Sequence, residues 1–138
     1  MKNRQHGAAG IIILILIVLA SIGGFMYYKS NSSTATNAPA CEDRACFDAN
    51  FKTCTPSVFA VEAGGAGVQY EILSSGTEGC NMKFTYTKIN MPGWENKPMT
   101  CDFSNKTTLE NSVAKTLSGI SDGSVVCSGP LYDIIKGE

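Results

Sequence analysis

Histidine is nearly missing from this sequence, and that scarcity narrows the chemistry open to it. The chain of 138 residues has one histidine, His6, which lies in a short basic leader ahead of the first apolar run. The rest of the chain therefore has no imidazole to act as the general base that a serine or cysteine nucleophile usually needs. We expect no catalytic residues and no enzyme activity.

The cysteines lack the C-x-x-C spacing of zinc knuckles. All of them follow the first apolar run: Cys41, Cys46, Cys54, Cys80, Cys101 and Cys127. An even number of cysteines on one side of an apolar span is typical of an oxidising compartment. Because histidine and the knuckle spacing are both missing, we predict three disulfides, no metal site and no cofactor. Six cysteines allow fifteen pairings, and the sequence does not choose among them.

Basic residues are too few to indicate nucleic-acid binding. Lys2, Arg4 and Lys29 flank the first apolar run, and subtracting these three from the eleven basic residues leaves eight, against twelve acids. The part of the chain after the run therefore has a net charge of −4. Proteins that bind nucleic acid need clustered lysine and arginine. We expect no nucleic-acid partner and an acidic surface that keeps the chain soluble.

The longest uncharged segment covers residues 8–28, and its length suits a lipid bilayer. A helix of this length measures about 30 Å, which is the thickness of a bilayer core. The basic residues of the leader, 1–7, favour a cytoplasmic N-terminus. We therefore predict a single-pass membrane span at 8–28 in the cell membrane, a flexible tether at 29–40 and an extracytoplasmic domain at 41–138.

Two other interpretations of the opening segment stay open. Small residues at Ala20, Ser21 and Gly23 would suit a cleaved signal peptide. The basic leader, Gly7 and the apolar run also resemble the start of type IV pilins and pseudopilins. In that family the leader is cut after the glycine and the helix packs into the core of a fibre. The family usually has a glutamate where this chain has Ile12. This resemblance implies a structural subunit of a cell-surface filament.

A second resemblance concerns the later part of the chain. The stretches FKTCTPSVF, MTC and CSGPLY are similar to small, cysteine-containing, membrane-anchored domains of bacterial envelopes, which have no assigned activity. The resemblance implies export and a small disulfide-bonded fold. We therefore predict a non-enzymatic binding or scaffolding domain of unknown ligand, whose partner is an envelope protein or another copy of itself.

Hydrophobic periodicity predicts a helix followed by four strands. The segment 41–56 has Phe47 and Phe51 on one helical face and ends at Pro56. Apolar residues then alternate with polar ones in segments separated by short glycine-containing or polar loops, which is typical of an antiparallel meander. The predicted strands are 57–61, 68–73, 80–89 and 99–103.

A second helix follows the predicted sheet. Thr107 and Glu110 have the spacing of a capping box, and Gly119 predicts the end of the helix. Between them a single apolar stripe runs through Leu109, Val113, Leu117 and Ile120. The expected fold class is α+β, with a short helix, a four-stranded antiparallel sheet and a C-terminal helix held by disulfides.

Only a few side chains are candidates for a functional site. Trp94, the only tryptophan, lies in the loop NMPGWENKPM and predicts either a partner contact or a cover for the edge of the core. Two pairs of carboxylates, Glu62 with Glu71 and Glu95 with Asp102, have residue types suited to acid–base chemistry. We expect all four on the solvated face of the sheet, where they would have no catalytic role.

Overall fold

The chain forms a four-stranded antiparallel sheet and three helices whose buried side chains join one core. The computed structural model describes residues 37–137. The elements are α1 (Arg44–Thr53), β1 (Ser57–Ala63), β2 (Ala66–Ser75), β3 (Cys80–Lys88), β4 (Pro98–Phe103), α2 (Leu109–Asp122) and α3 (Pro130–Lys136). The predicted α+β class and the four antiparallel strands are confirmed.

The strands pair in chain order, so the sheet is a simple meander. Gly64 and Gly65, both with positive φ, form the two-residue turn between β1 and β2. On β3, Met82, Phe84 and Tyr86 are fully buried while their polar neighbours are only half-buried, as the alternation predicts. This face of the sheet carries the core.

Helix α1 is shorter than the predicted segment 41–56. Asp43 is its N-cap and accepts a hydrogen bond from the Cys46 backbone N–H at 2.8 Å. Cys54, in the left-handed conformation, ends the helix before Pro56 is reached. Phe47 and Phe51 are buried as predicted, and the Phe47 ring stacks on Phe59 of β1 with centroids 5.5 Å apart.

The N-cap of α2 is Thr108, so the predicted capping box at Thr107 is wrong by one residue. The Thr108 hydroxyl accepts a hydrogen bond from the Asn111 backbone N–H at 3.4 Å. With Thr108 as the N-cap, Glu110 is the second helical residue and not the third, so it cannot complete the box. Its carboxylate instead pairs with Arg44 of α1.

Gly119 does not end α2, contrary to the prediction. The helix continues to Asp122, and Gly123, with positive φ, is the C-cap. Gly119 instead allows close packing, because a Cβ there would lie 2.4 Å from the Val125 side chain. The apolar stripe Leu109, Val113, Leu117 and Ile120 is buried as predicted.

A third helix, α3, follows α2 and has no counterpart in the prediction. It has Pro130 at its first turn and is seven residues long. Leu131 is fully buried, Ile135 is half-buried, and Ile134 stays exposed. A helix with one buried anchor has too little periodicity to be detected from its sequence.

Three disulfides connect the six cysteines, as predicted. The pairs are Cys41–Cys46, Cys54–Cys80 and Cys101–Cys127. The first is local, the second joins the end of α1 to the start of β3, and the third joins β4 to the segment before α3. Each of the last two spans a sequence separation of 26.

Both edges of the sheet are partly covered. On the outer side of β1, the Val58 backbone bonds to Pro39 and Cys41, so residues 39–41 run parallel to the start of the strand. On the outer side of β4, Thr100 and Ser128 exchange two backbone hydrogen bonds of 2.8 and 2.9 Å. Short covering segments of this kind limit edge-to-edge association of sheets.

The predicted membrane span, 8–28, and most of the tether lie outside the described residues. Within residues 37–137, none of the helices combines the length and the apolar character that crossing a bilayer would require.

Candidate functional site

Two candidate surfaces lie at opposite ends of the sheet. The Trp94 loop, residues 89–97, follows the last residue of β3, whereas the turn at residues 76–79 precedes its first residue. That turn, the end of β4 and residues 126–128 enclose a depression that we term the β4 cleft.

The Trp94 loop is held by its own backbone. The Trp94 N–H bonds to the Met91 carbonyl at 3.2 Å, and the Lys97 N–H bonds to the Trp94 carbonyl at 3.3 Å. Asn96, in the left-handed conformation that asparagine tolerates, donates its N–H to the Tyr86 carbonyl at 2.7 Å. These bonds fix the loop against the end of β3.

The Trp94 ring lies across the edge of the core. Its centroid is 6.2 Å from that of Tyr86, and it is half-buried together with Met91. The side chain therefore covers the core edge and still presents part of its surface to solvent. Both roles that the sequence allows for Trp94 are compatible with this position, and its part in binding stays a prediction.

The β4 cleft lies where the residues before Cys127 diverge from β4. Ser128 pairs with Thr100 and Cys127 is bonded to Cys101, but Val126 turns outward and is 79% exposed. The space that results has a volume of about 350 Å³. Its walls include Thr77, Asn81, Thr100, Asp102, Val126 and Ser128.

Asp102 builds one wall of the cleft. One oxygen of its carboxylate accepts the backbone N–H groups of Thr77 at 2.7 Å and Glu78 at 3.0 Å. The other oxygen lies under Gly76, where a Cβ would come within 2.3 Å of it. Asp102 therefore holds the turn at 76–79 in place. The other polar side chains that line the cleft are neutral hydroxyl and amide groups, which can offer a ligand only hydrogen bonds.

The carboxylates considered from sequence are not brought together as pairs. Glu71 is paired in register with Val58 and Glu62 with Gly67, so the two acids are not cross-strand neighbours. Glu71 is buried and ion-pairs with Lys83 of β3, so the expectation that it lies on a solvated face is wrong. Burial is possible because the lysine offsets the charge.

The other two carboxylates are also separated. Glu95 is exposed in the Trp94 loop before β4, whereas Asp102 lies near the far end of that strand. Neither is near enough to the other for the shared-proton or nucleophile–acid chemistry of a carboxylate pair.

Two buried tyrosines have pKa values that differ from the ordinary one. Burial raises the pKa of Tyr70 and of Tyr86 well above the ordinary tyrosine range, and the neighbouring Tyr70 raises that of Tyr86 further. Both phenols therefore stay protonated at any physiological pH and cannot act as bases. Within residues 37–137 no group of three histidine, cysteine or acidic side chains is arranged to hold a metal ion.

Comparison of the chain with protein-family models, curated proteins and solved structures gives no match. The β4 cleft was not anticipated from the sequence, because it depends on which cysteine pairs with Cys101. A cleft lined both by residue 126 and by the turn at 76–79 leaves no local pattern in either segment.

Proposed function

We propose that the chain is a non-enzymatic binding or scaffolding domain, held outside the cytoplasm by an N-terminal membrane anchor at residues 8–28. The observation that carries this proposal is the closure of all six cysteines into disulfides. Structural disulfides persist in oxidising compartments and are rare in the cytosol. The apolar segment ahead of the first cysteine supplies the means of export.

The end of the sheet that carries the Trp94 loop is the better candidate for a partner site. Residues 39–41 approach β1 at Val58, near its first residue, so the tether enters from the opposite end of the sheet. The Trp94 loop would then face away from the anchor. A half-buried tryptophan on a hydrogen-bonded loop loses little conformational freedom when a partner covers it, which favours binding.

Thiol trapping and protease access test the location. In bacterial cells that express the full chain, we expect no cysteine to react with a membrane-permeable alkylating reagent before reduction, and all six to react after it. Protease added outside spheroplasts should digest the domain while a cytoplasmic marker stays intact. Six reactive thiols, or a domain that is protected until the membrane is lysed, would contradict the proposal.

N-terminal sequencing of the purified chain separates the anchor from its alternatives. A start at Met1 or Lys2 supports the retained anchor. A start at Ala8 would instead support the alternative function, a pilin-like filament subunit, which the position of Gly7 before the apolar run favours. A start near Ser21 would indicate a secreted domain.

Site-specific photocrosslinking tests the partner site. A photoreactive residue at Glu95, which is exposed beside Trp94, should give a discrete adduct in cells, and Trp94→Ala should abolish it. Lys115, exposed on α2, is the matched control position and should give none. An adduct from Lys115 but not from Glu95 would place the partner elsewhere.

A further inference from the structure

Exposed large apolar side chains concentrate at one end of the described domain. Within residues 37–137 there are three of them: Leu73 at 39%, Val126 at 79% and Ile134 at 37% exposure. Leu73 is an unpaired residue in the bulge between Ile72 and Ser74, near the end of β2. Val126 lines the β4 cleft together with Thr77 of the turn at 76–79. Two of the three therefore lie at the end that carries this turn.

The chain enters the domain at the same end. Residues 39–41 run parallel to β1 and meet it at Val58, so residues 37–38 lie on the side of the first residue of β1. That residue, Ser57, is paired with Ile72, next to Leu73. The entry point and the exposed apolar side chains thus share the end of the sheet formed by the β2–β3 turn, which we call the tether end.

We propose that the tether end rests on the lipid surface, with Leu73 and Val126 inserted into the membrane interface. This inference depends on the proposed function, because it requires an anchor in the membrane. Apolar side chains on a surface of this kind gain by leaving water for the boundary between headgroups and acyl chains. A lipid surface needs no specific pocket, which fits two projecting side chains on separate segments.

The predicted tether is short enough to keep this contact. Pinning residues 39–41 to β1 leaves residues 29–38 between the anchor and the domain, and at about 3.5 Å each they span at most roughly 35 Å. A flexible chain of that length averages about 18 Å end to end. The tether end is therefore held near the lipid at a high effective concentration, so that weak contacts are populated.

Charge contributes little at this end. Lys52 and Lys106, whose segments meet through the Asn105 amide, are exposed near it. The acids there are Glu78, exposed in the turn at 76–79, and Asp102, whose carboxylate accepts hydrogen bonds from that turn. The two positive and two negative charges balance. Contact should therefore be about equal on neutral and anionic lipid, in contrast to a polybasic patch.

Tryptophan fluorescence in vesicles provides the test. The full chain has one tryptophan, Trp94, at the end opposite the tether, so the wild type is its own control. In a Trp94→Phe background, Leu73→Trp and Val126→Trp each place one probe at the tether end. Ile134→Trp, whose site is as exposed as that of Leu73, is the matched probe on α3. Each chain is reconstituted in phosphatidylcholine vesicles with and without brominated acyl chains.

Interfacial side chains lie about 5–10 Å into the headgroup boundary, so bromines near the top of the acyl chain should quench the probes at 73 and 126 about twofold. The wild type and the probe at 134 should change by less than about a tenth. Equal quenching at all positions, or none at 73 and 126 in chains that float with the vesicles, would overturn this inference and leave the proposed function unaffected. Chains that do not float would contradict the anchor, and with it both proposals.

Discussion

Helices α1 and α2, which we call the two flanks of the sheet, are held to the core by different means. Helix α1 is ten residues long, buries only Phe47 and Phe51, and has a disulfide at each end. Helix α2 is fourteen residues long, buries seven, and contains no cysteine. A short helix gains too little from packing to offset the entropy of ordering it, so covalent bonds near its ends supply the difference. The longer helix is held by its apolar face.

The largest expected effect comes from removing one long-range disulfide on each flank. Cys54→Ala/Cys80→Ala and Cys101→Ala/Cys127→Ala open bridges of equal sequence separation, 26, so chain entropy predicts a similar loss of about 3.5 kcal/mol from each. Hydrogen exchange should distinguish them, because only the first pair fixes a helix with little packing of its own. We expect the amides of α1 to lose protection in the first variant.

In the second variant the amides of α2 should keep their protection, since Cys101 and Cys127 lie outside that helix. Denaturant unfolding gives the free energies, and exchange monitored by mass spectrometry gives the local protection. If the amides of both helices lose the same protection in both variants, the two flanks unfold as one cooperative unit. The different ways in which they are held would then have no effect on their local stability.

The second effect concerns packing on the α2 flank. Leu117→Ala removes a side chain buried at 3% exposure and should lower the free energy of unfolding by about 3 kcal/mol, through lost burial and the cavity left behind. Ser118→Ala changes the exposed neighbour in the same helix and should stay within about 0.5 kcal/mol of the wild type. Comparable losses from the two substitutions would mean that α2 depends on local propensity and not on its buried face.

A third effect arises from the aromatic part of the core between the flanks. Unfolded tyrosines lose their protons near pH 10, whereas burial raises the pKa of Tyr70 and Tyr86 above that value in the folded chain. Above pH 10 the unfolded state therefore binds fewer protons than the folded state, and stability falls as the pH rises. Two such groups give a slope of about 2.7 kcal/mol per pH unit.

Tyr70→Phe/Tyr86→Phe isolates this contribution from that of the lysines. Among residues 37–137 neither phenol has a hydrogen-bond partner, so the substitution removes no bond there and should be close to neutral at pH 7. Between pH 9 and 11 the free energy of unfolding should therefore fall less steeply with rising pH in the double variant than in the wild type. An unchanged slope would show that the phenols already reach solvent in the folded chain.

Sequence patterns predicted the parts of the fold that depend on local periodicity. The alternation at Met82, Phe84 and Tyr86 and the stripe from Leu109 to Ile120 each bury one face, and both were confirmed. The elements that were missed or misplaced have no such pattern: close packing against Val125 requires Gly119 inside α2, and α3 has a single fully buried residue, Leu131. The β4 cleft depends on the pairing of Cys101 with Cys127, one of five cysteines with which it could pair.

The smallest effect tests the displaced cap of α2. Thr108→Ala should cost about 1 kcal/mol, because the hydroxyl that accepts the Asn111 N–H is lost at the N-cap. Thr107→Ala, one residue earlier and equally exposed, should change stability by only a few tenths. The opposite order would restore the capping box expected from sequence. It would also mean that Glu110 leaves Arg44 in solution, so that this ion pair between α1 and α2 does not hold the two flanks together.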